Sequence, residues 1–254
     1  MLLVIDTGNT HTVFGCVDDN ENIINTMRLR TDQQETEYGY AARIKDLLEI
    51  ADIKKDDITG AVISSVVPLV TASLKKAIKL LFSLEPFVIG ENVKTGLTIK
   101  LEGGIAPDLE AAAVAAKELY PLPCIIADMG TATTVTVVDK DGAYIGGAIV
   151  PGVSTSLNAL VDKTSLLPGI AIEPPTKAIA TDTVDAMKSG LVYGAAGSID
   201  GIIDMFVKEM GEEPKSIVAT GGIGRLIAPI CKHEIIVDDD MLLKGLIYIY
   251  KMNV

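Results

Sequence analysis

Two segments of this sequence place an aspartate, a glycine and small polar side chains directly after a short apolar run. The first is Asp6-Thr7-Gly8-Asn9-Thr10, after residues 2–5, and the second is Asp128-Met129-Gly130-Thr131-Ala132-Thr133, after residues 124–127. Backbone N–H groups in such turns, with amide and hydroxyl side chains, can cradle phosphate oxygens. Because a carboxylate repels phosphate, Asp6 is expected to hold Mg²⁺ through water instead. The pattern predicts two phosphate-binding turns around a metal-bound triphosphate.

Each of these segments also has a plainer interpretation as an ordinary hairpin turn with an aspartate as turn former. Their duplication favours the functional interpretation. At an offset of 122, residues 5–8 match residues 127–130, and residues 12–23 match residues 134–145 at four further positions. Both copies read as strand, Asp-x-Gly turn, strand, acidic turn and strand, which indicates an internal duplication.

A third carboxylate, Asp108, begins an alanine-rich helix in the segment Ala106-Pro107-Asp108-Leu109. Proline suits the first helical position, and an aspartate in the first turn stabilises the helix dipole by about 0.3–1 kcal/mol without any catalytic role. Alternatively, Asp108 lies at the edge of a ligand cleft and accepts the proton of an attacking alcohol. Phosphoryl transfer depends mainly on positioning and charge neutralisation, so one such base with Mg²⁺ is sufficient.

Two further positions have open interpretations. Gly221-Gly222 follows an apolar run and offers flat backbone against which an adenine ring can lie, or else it is the entry turn of a helix. His11 adjoins the first turn and can reach a ligand, or else it has a surface or capping role. The sequence contains no Gly-Lys dipeptide and no G-x-G-x-x-G, so neither a P-loop nor a dinucleotide-binding fingerprint is present.

The elements that must position these residues alternate between strands and helices. The periodicity predicts strands over residues 2–5, 12–17, 23–29, 61–67, 87–89, 124–127 and 216–220, and helices over residues 35–50, 68–81, 109–119, 184–210 and 241–251. This order indicates an α/β protein built from two βββαβ halves. We expect two lobes, residues 1–115 and 116–254, with a ligand cleft between them.

Composition narrows the function classes. A net charge of −12 argues against a nucleic-acid surface, which requires clustered Lys and Arg, but not against ATP, which a few oriented donors and a metal can hold. The three cysteines, Cys16, Cys124 and Cys231, lie far apart and support neither a disulfide framework nor a zinc site. The chain begins without a basic segment and has no uninterrupted apolar run of about 18 residues, so a cytoplasmic protein without a membrane span is expected.

With these residues in view, the chain resembles the type III pantothenate kinases over essentially its whole length. The matching stretches are Leu3-Val4-Ile5-Asp6-Thr7-Gly8-Asn9-Thr10, Val62-Ile63-Ser64-Ser65-Val66-Val67-Pro68, Lys94-Thr95-Gly96-Leu97, Asp128-Met129-Gly130-Thr131-Ala132-Thr133, Gly146-Gly147-Ala148-Ile149-Val150-Pro151-Gly152, Thr183 with Ser189-Gly190, and Ala219-Thr220-Gly221-Gly222. The resemblance implies a duplicated actin-like, ribonuclease H-like fold of the acetate and sugar kinase–Hsp70–actin superfamily. It also implies a homodimer that uses ATP, Mg²⁺ and a monovalent cation, K⁺ or NH₄⁺, to phosphorylate pantothenate to 4′-phosphopantothenate, the first step toward coenzyme A.

The resemblance also implies roles for individual residues. Asp108 would be the proton acceptor, and Asp128 would bind the monovalent cation. The ATP contacts would be Asp6, Thr7, Gly8, Asn9, Thr10, His11, Thr12, Val13 and Thr131, joined by Gly221 and Gly222, and the substrate contacts would be Ala106, Pro107, Asp108, Leu109 and Thr183.

The sequence departs from the family pattern around Asp108. The family motif is Gly-Ala-Asp-Arg, whereas this chain has Leu109 in place of an arginine that should meet an anionic substrate. Upstream, Leu101-Glu102-Gly103-Gly104 replaces the usual tyrosine and Asn-Pro, and His11 stands where the family usually has Asn. Three hypotheses follow: a pantothenate kinase, a kinase of a different small alcohol, or a catalytically silent nucleotide-binding regulator.

Overall fold

The computed structural model describes residues 1–91 and 93–254, in which strands and helices alternate as the sequence predicts. The strands are β1 (Leu2–Thr7), β2 (His11–Val17), β3 (Ile23–Arg30), β4 (Gly60–Ser65), β5 (Phe87–Val88), β6 (Thr98–Ile99), β7 (Cys124–Met129), β8 (Ala132–Val138), β9 (Ala143–Pro151), β10 (Ser216–Thr220) and β11 (Ile236–Val237). The helices are α1 (Glu37–Ile50), α2 (Pro68–Phe82), α3 (Pro107–Leu119), α4 (Val153–Lys163), α5 (Thr183–Met210), α6 (Gly224–Ile227) and α7 (Met241–Lys251).

The first sheet has the strand order β3-β2-β1-β4-β5, with β1 antiparallel to β2 and parallel to β4. Side chains alternate between the two faces of each strand, so Leu3 and Ile5 lie on one face of β1 and Val4 lies on the other. The Leu3 face packs in a core cluster with helices α1 and α2. The Val4 face packs with α3 and α7, and this second face carries Asp6 because of the same alternation.

The second sheet has the order β11-β10-β7-β8-β9-β6, in which β9-β8-β7-β10-β11 repeats the arrangement of the first sheet. Helices α4 and α5 cover it, and Val192, Ile199 and Ile203 of α5 are almost completely buried in the resulting core. Among the described residues, α5 alone is long and apolar enough to span a bilayer. A helix of a globular core can meet the same criterion, and one face of α5 is buried in the core of the second sheet.

The two copies of the duplication do not align at a single difference in residue number. In the first sheet Thr7 pairs with Thr12, whereas in the second sheet Met129 pairs with Thr133. The second turn is therefore one residue shorter, and its closing hydrogen bond runs from Gly130 N to Ala132 O. The predicted match of Thr12-Val13 with Thr134-Val135 is wrong by one residue, because the offset falls from 122 to 121 after the turn.

The described part of the chain divides into two compact units. Unit 1 contains Met1–Leu97, Gly103–Glu118 and Leu242–Val254, and unit 2 contains Thr98–Glu102 and Leu119–Met241. The C-terminal helix α7 thus packs on the first sheet. The lobes 1–115 and 116–254 and the cleft between them stay predictions.

Candidate nucleotide and acceptor site

The first predicted phosphate turn joins β1 to β2 and is held in shape by hydrogen bonds to its backbone. Gly8 N donates to His11 O at 2.9 Å, and Thr31 Oγ1 donates to Gly8 O at 2.8 Å. Thr31 N also donates to Thr10 O at 2.9 Å. These bonds come from within the protein, while the side chains of Asn9, Thr10 and His11 are exposed at the tip. The turn is a fixed scaffold whose polar tip faces outward.

Asp6 lies at the base of this turn with its carboxylate held by a neighbouring strand. Ser64 on β4 is directly opposite Asp6 in the parallel pairing, and Ser64 Oγ donates to Asp6 Oδ1 at 2.9 Å. The serine is fully buried and the aspartate is half-buried. A half-buried carboxylate oriented by a buried hydroxyl fits a hard cation such as Mg²⁺, which prefers oxygen ligands and keeps several waters. Ser64 had no predicted role, although it lies in a stretch that matches the family.

The surroundings of Gly8 and Thr7 bear on the ATP contacts that the resemblance implies for them. Gly8 does not adopt a positive φ, and a Cβ added there would lie 3.5 Å from His11 O, in ordinary contact. The glycine is therefore not required by a left-handed backbone. The Oγ1 of Thr7 is buried without a hydrogen-bond partner among the described residues. Strand alternation puts it on the Leu3 face, away from Asp6, so its ATP contact stays a prediction.

The second predicted turn joins β7 to β8 and packs against the start of α4. Gly152 N donates to Thr131 O at 3.1 Å, and Thr155 Oγ1 donates to the same oxygen at 2.6 Å. A Cβ at Gly152 would lie 2.2 Å from Gly130 O, so only glycine permits this approach. Helix α4 was not predicted, although Val153 and Leu157 show a helical apolar spacing in the sequence. The positive N-terminal end of a helix next to this turn favours an anion there.

Asp128 lies at the base of the second turn, as Asp6 does in the first, and is also half-buried. Gly221, at the end of β10, has φ +87° and would bring a Cβ within 2.8 Å of Asp128 Oδ1 and 2.7 Å of the Met129 carbonyl. The structure therefore places Gly221 against Asp128, and both the positive φ and the close contact require a glycine at this position. Gly224 N donates to Gly221 O at 3.0 Å, which forms the entry turn of α6. The adenine contact of Gly221 and Gly222 stays a prediction.

Asp108 occupies the first turn of α3, which starts at Pro107 as the sequence predicts. Leu109 N donates to Asp108 Oδ1 at 2.8 Å. Burial raises the pKa of Asp108 above its ordinary value, and the hydrogen bonds from backbone N–H groups oppose this only partly. A raised pKa makes the carboxylate a stronger proton acceptor at neutral pH. Both its position and its basicity suit a general base.

Helix α3 is held firmly, which fixes the position of Asp108 within unit 1. Thr95 Oγ1 donates to Glu110 Oε1 at 2.6 Å, and Lys117 Nζ donates to Gly96 O at 2.7 Å. A Cβ at Gly245 of α7 would lie 1.9 Å from Ala111 O, so the two helices pack in direct backbone contact. Since α3 and α7 cover the Val4 face, the helix that bears Asp108 packs on the same sheet face that bears Asp6.

The remaining predicted residues lie at the surface of their own units. Ala106 is exposed, and Pro107 and Leu109 are half-buried beside Asp108 in unit 1. Thr183 is the exposed first residue of α5 in unit 2, where Asp182 Oδ1 caps the helix by accepting from Asp185 N at 2.9 Å. Unit 1 therefore carries the first turn and Asp108, and unit 2 carries the second turn, Gly221 and Thr183.

The described residues contain no group of three or more His, Cys, Asp or Glu side chains that could hold a metal ion. A cation bound at Asp6 or Asp128 would therefore take its other ligands from phosphate oxygens, backbone carbonyls or water. This donor set fits Mg²⁺ with a nucleotide, because Mg²⁺ is usually bound by one or two carboxylates together with substrate phosphates.

Comparison with known proteins agrees with the family resemblance seen in the sequence. Residues 2–205 match the family model of type III pantothenate kinases. A type III pantothenate kinase of Halalkalibacterium halodurans is 41% identical over 256 residues, which cover 100% of both chains.

Among solved structures, a protein of Campylobacter jejuni assigned to the Baf family of transcriptional activators superposes with a TM-score of 0.62 at 19% identity, covering 99% of this chain and 98% of that one. The activator of 2-hydroxyisocaproyl-CoA dehydratase from Clostridium difficile, with bound ADPNP, superposes with a TM-score of 0.55 at 14% identity, covering 99% and 94%. At these identities the structural neighbours establish the fold alone. The predicted duplicated, actin-like α/β fold is confirmed.

Proposed function

This chain belongs to the type III pantothenate kinase family, and we propose how its residues perform the reaction of that family. The protein is an ATP-dependent kinase that phosphorylates pantothenate to 4′-phosphopantothenate in coenzyme A biosynthesis. The observation that carries the residue-level proposal is the pairing, on one face of the first sheet, of a Ser64-oriented Asp6 with the helix that bears Asp108. The first supplies a phosphate and metal site, and the second supplies a base.

In this proposal the turn after Asp6 holds the phosphate chain of ATP through its backbone N–H groups and the side chains of Asn9 and Thr10. Mg²⁺ bound at Asp6 would neutralise charge on the phosphates. Asp108 takes the proton from the primary hydroxyl of pantothenate. The hydroxyl oxygen then forms a bond to the terminal phosphorus while the bond from that phosphorus to the bridging oxygen breaks, and ADP leaves with the electron pair.

The proposal gives the second turn, in unit 2, ligand contacts of its own. Thr131 donates its hydroxyl to a phosphate oxygen, and Asp128 supports a monovalent cation, K⁺ or NH₄⁺. The start of α4, packed on Thr131 O through Gly152 and Thr155, adds the positive end of a helix dipole. The duplicated strand order of the two sheets gives each turn the same position within its own unit, which supports a similar role for both.

We also propose that the protein is a cytoplasmic homodimer that associates through unit 2. Helix α5 presents an exposed strip of small residues at helical spacing, and a Cβ added at any of its glycines would meet nothing within 4 Å: Gly190, Gly194, Gly197 and Gly201. Tyr193 on this strip is 41% exposed. An exposed strip of small residues on one helix allows the same helix of a second copy to approach it closely in a self-complementary contact.

The decisive experiment is an ATP-consumption assay with pantothenate, Mg²⁺ and K⁺, in which 4′-phosphopantothenate is identified as the product. Turnover that depends on pantothenate supports the assignment. If pantothenate gives no turnover while another small alcohol does, the acceptor assignment is wrong. The replacement of the family arginine by Leu109 would then be the first candidate cause of the changed specificity. ATP binding without phosphorylation of any acceptor would favour the regulatory alternative.

A further inference from the structure

An open surface pocket of about 500 Å³ adjoins the first phosphate turn, and its lining includes two arginines for which neither the motifs nor the family pattern gave a role. The lining residues are Thr10, His11, Arg28, Leu29 and Arg30. Thr10 belongs to the turn and His11 is the first residue of β2 after it, so the pocket adjoins the predicted phosphate site. The arginines come from β3, the edge strand of the first sheet.

The strand register places these arginines on the Val4 face of the first sheet, the face that carries Asp6. Asp6 on β1 is opposite Val13 on β2, which in turn is opposite Arg28 on β3, and His11 is opposite Arg30. Residues directly opposite one another project from the same face of a sheet. Asp6 and Arg28 are thus in one row across two strand spacings, about 10 Å between their Cα atoms. An arginine side chain can cover most of that distance.

The charges of this region are unusual for the chain. The protein has a net charge of −12 and four arginines, at positions 28, 30, 43 and 225. Arg43 pairs with Glu35 at 2.7 Å, and Arg225 pairs with Asp239 at 2.5 Å. Within residues 1–91 and 93–254, neither Arg28 nor Arg30 forms a salt bridge with an acidic side chain, and both are exposed. Both arginines line the pocket beside the phosphate turn.

We propose that Arg28 and Arg30, together with His11, form a subsite that binds the terminal phosphate of ATP. A guanidinium binds phosphate through two parallel N–H donors, and it stabilises charge on a transferring phosphoryl group. Contact with the Thr10 turn and alignment with Asp6 favour the phosphate over the carboxylate of the acceptor as the ligand. This inference rests on the proposed role of the Asp6 turn in holding ATP.

The test is equilibrium binding of ATP, ADP and AMP to the full-length chain in the presence of Mg²⁺, for wild type, Arg28→Gln, Arg30→Gln and the double variant. The double variant is expected to bind ATP about 10- to 100-fold more weakly, because charged hydrogen bonds to one phosphate are lost. Its affinity for AMP should stay that of the wild type. Arg43→Gln is the matched control, since this arginine lies on α1 over the opposite face of the sheet.

Steady-state kinetics on the same variants distinguishes the possible ligands. The expected result is a raised KM for ATP or a lowered kcat, with an unchanged KM for pantothenate. A raised KM for pantothenate with unchanged ATP binding would assign the arginines to the acceptor carboxylate and overturn the proposal. Unchanged values for both substrates would show that the arginines are solvated surface groups, which also overturns it.

Two further measurements keep these outcomes interpretable. If Arg28→Gln loses the thermal unfolding transition of the wild type, Arg28→Lys replaces it. Lysine keeps the positive charge but lacks the two parallel N–H donors of a guanidinium. The Arg28→Lys variant should then lose less ATP affinity than the glutamine variants lose. A wild-type protein that binds ATP but does not phosphorylate pantothenate would refute the acceptor assignment alone, and the binding series would still test the arginines.

Discussion

Replacing Asp108 by Asn separates a catalytic role of this carboxylate from a purely structural role at the start of helix α3. Asparagine has nearly the same shape, and its Oδ1 can still accept the hydrogen bond from Leu109 N. It cannot take a proton from an attacking hydroxyl. We therefore expect kcat to fall by about 10²- to 10⁴-fold, the usual contribution of a general base. ATP binding should be unaffected.

The expected effect on stability follows from the sign of the pKa shift. Burial raises the pKa of Asp108 in the folded protein, so its contribution to stability is present below the unfolded pKa and is lost as pH rises through the folded pKa. At pH 7 the buried charge is unfavourable, and Asn relieves it. Against this, the helix dipole loses a favourable charge, which costs about 0.3–1 kcal/mol. Because the two effects oppose each other, the free energy of unfolding at pH 7 should change by less than about 1 kcal/mol.

The assay is coupled ATP consumption with pantothenate, together with thermal unfolding of the same preparations. Glu37→Gln is the matched control, because Glu37 is also an acid in the first turn of a helix, α1, on the opposite face of the sheet. It should lose a little stability and retain full activity. If Asp108→Asn behaves in the same way, with lower stability and full activity, Asp108 is a helix-terminal charge and the reasoning about the base is refuted. In the wild type, kcat/KM should fall on the acid side with a pKa above that of an ordinary aspartate.

Three other predictions concern the supports of the site. Ser64→Ala removes the donor that orients Asp6 Oδ1 and should raise the KM for ATP about tenfold, measured by initial rates; an unchanged KM would remove Ser64 from the site. Gly152→Ala forces a Cβ into the backbone of the second turn and should lower the free energy of unfolding by about 1–3 kcal/mol in urea titrations, whereas Gly169→Ala, which meets nothing within 4 Å, should not. Gly194→Arg should convert the proposed homodimer to monomer in sedimentation velocity, and a variant that remains dimeric would place the interface elsewhere.

Local pattern predicts much of this fold because each strand and helix shows its own periodicity. Strand β10 and helix α7 have the predicted bounds, and α3 begins at the predicted proline. The register of the second turn could not be obtained in this way. Thr133 and Thr134 are both threonines, so Thr12 matches either of them, and the one-residue shortening of the turn is invisible in the sequence.

The sequence pointed to the charged residues of the candidate site but not to the residues that support them. Asp6 and Asp108 stand out because a carboxylate after an apolar run or at a helix start is conspicuous in a sequence. Ser64 orients Asp6 from 58 positions away, and Gly152 packs against Gly130 O, and neither contact leaves a local signal. Arg28 and Arg30 became meaningful only when the strand pairing aligned them with Asp6 and His11. Long-range contacts of this kind depend on tertiary packing rather than on local pattern.

The most direct test of the account is a crystal structure of the protein with Mg²⁺, a non-hydrolysable ATP analogue and pantothenate. The triphosphate is predicted to lie against the Gly8–Thr10 backbone with the metal bound at Asp6. The primary hydroxyl of pantothenate is predicted to lie within hydrogen-bond distance of Asp108. A triphosphate bound away from the Asp6 turn, or a pantothenate hydroxyl out of reach of Asp108, would contradict it.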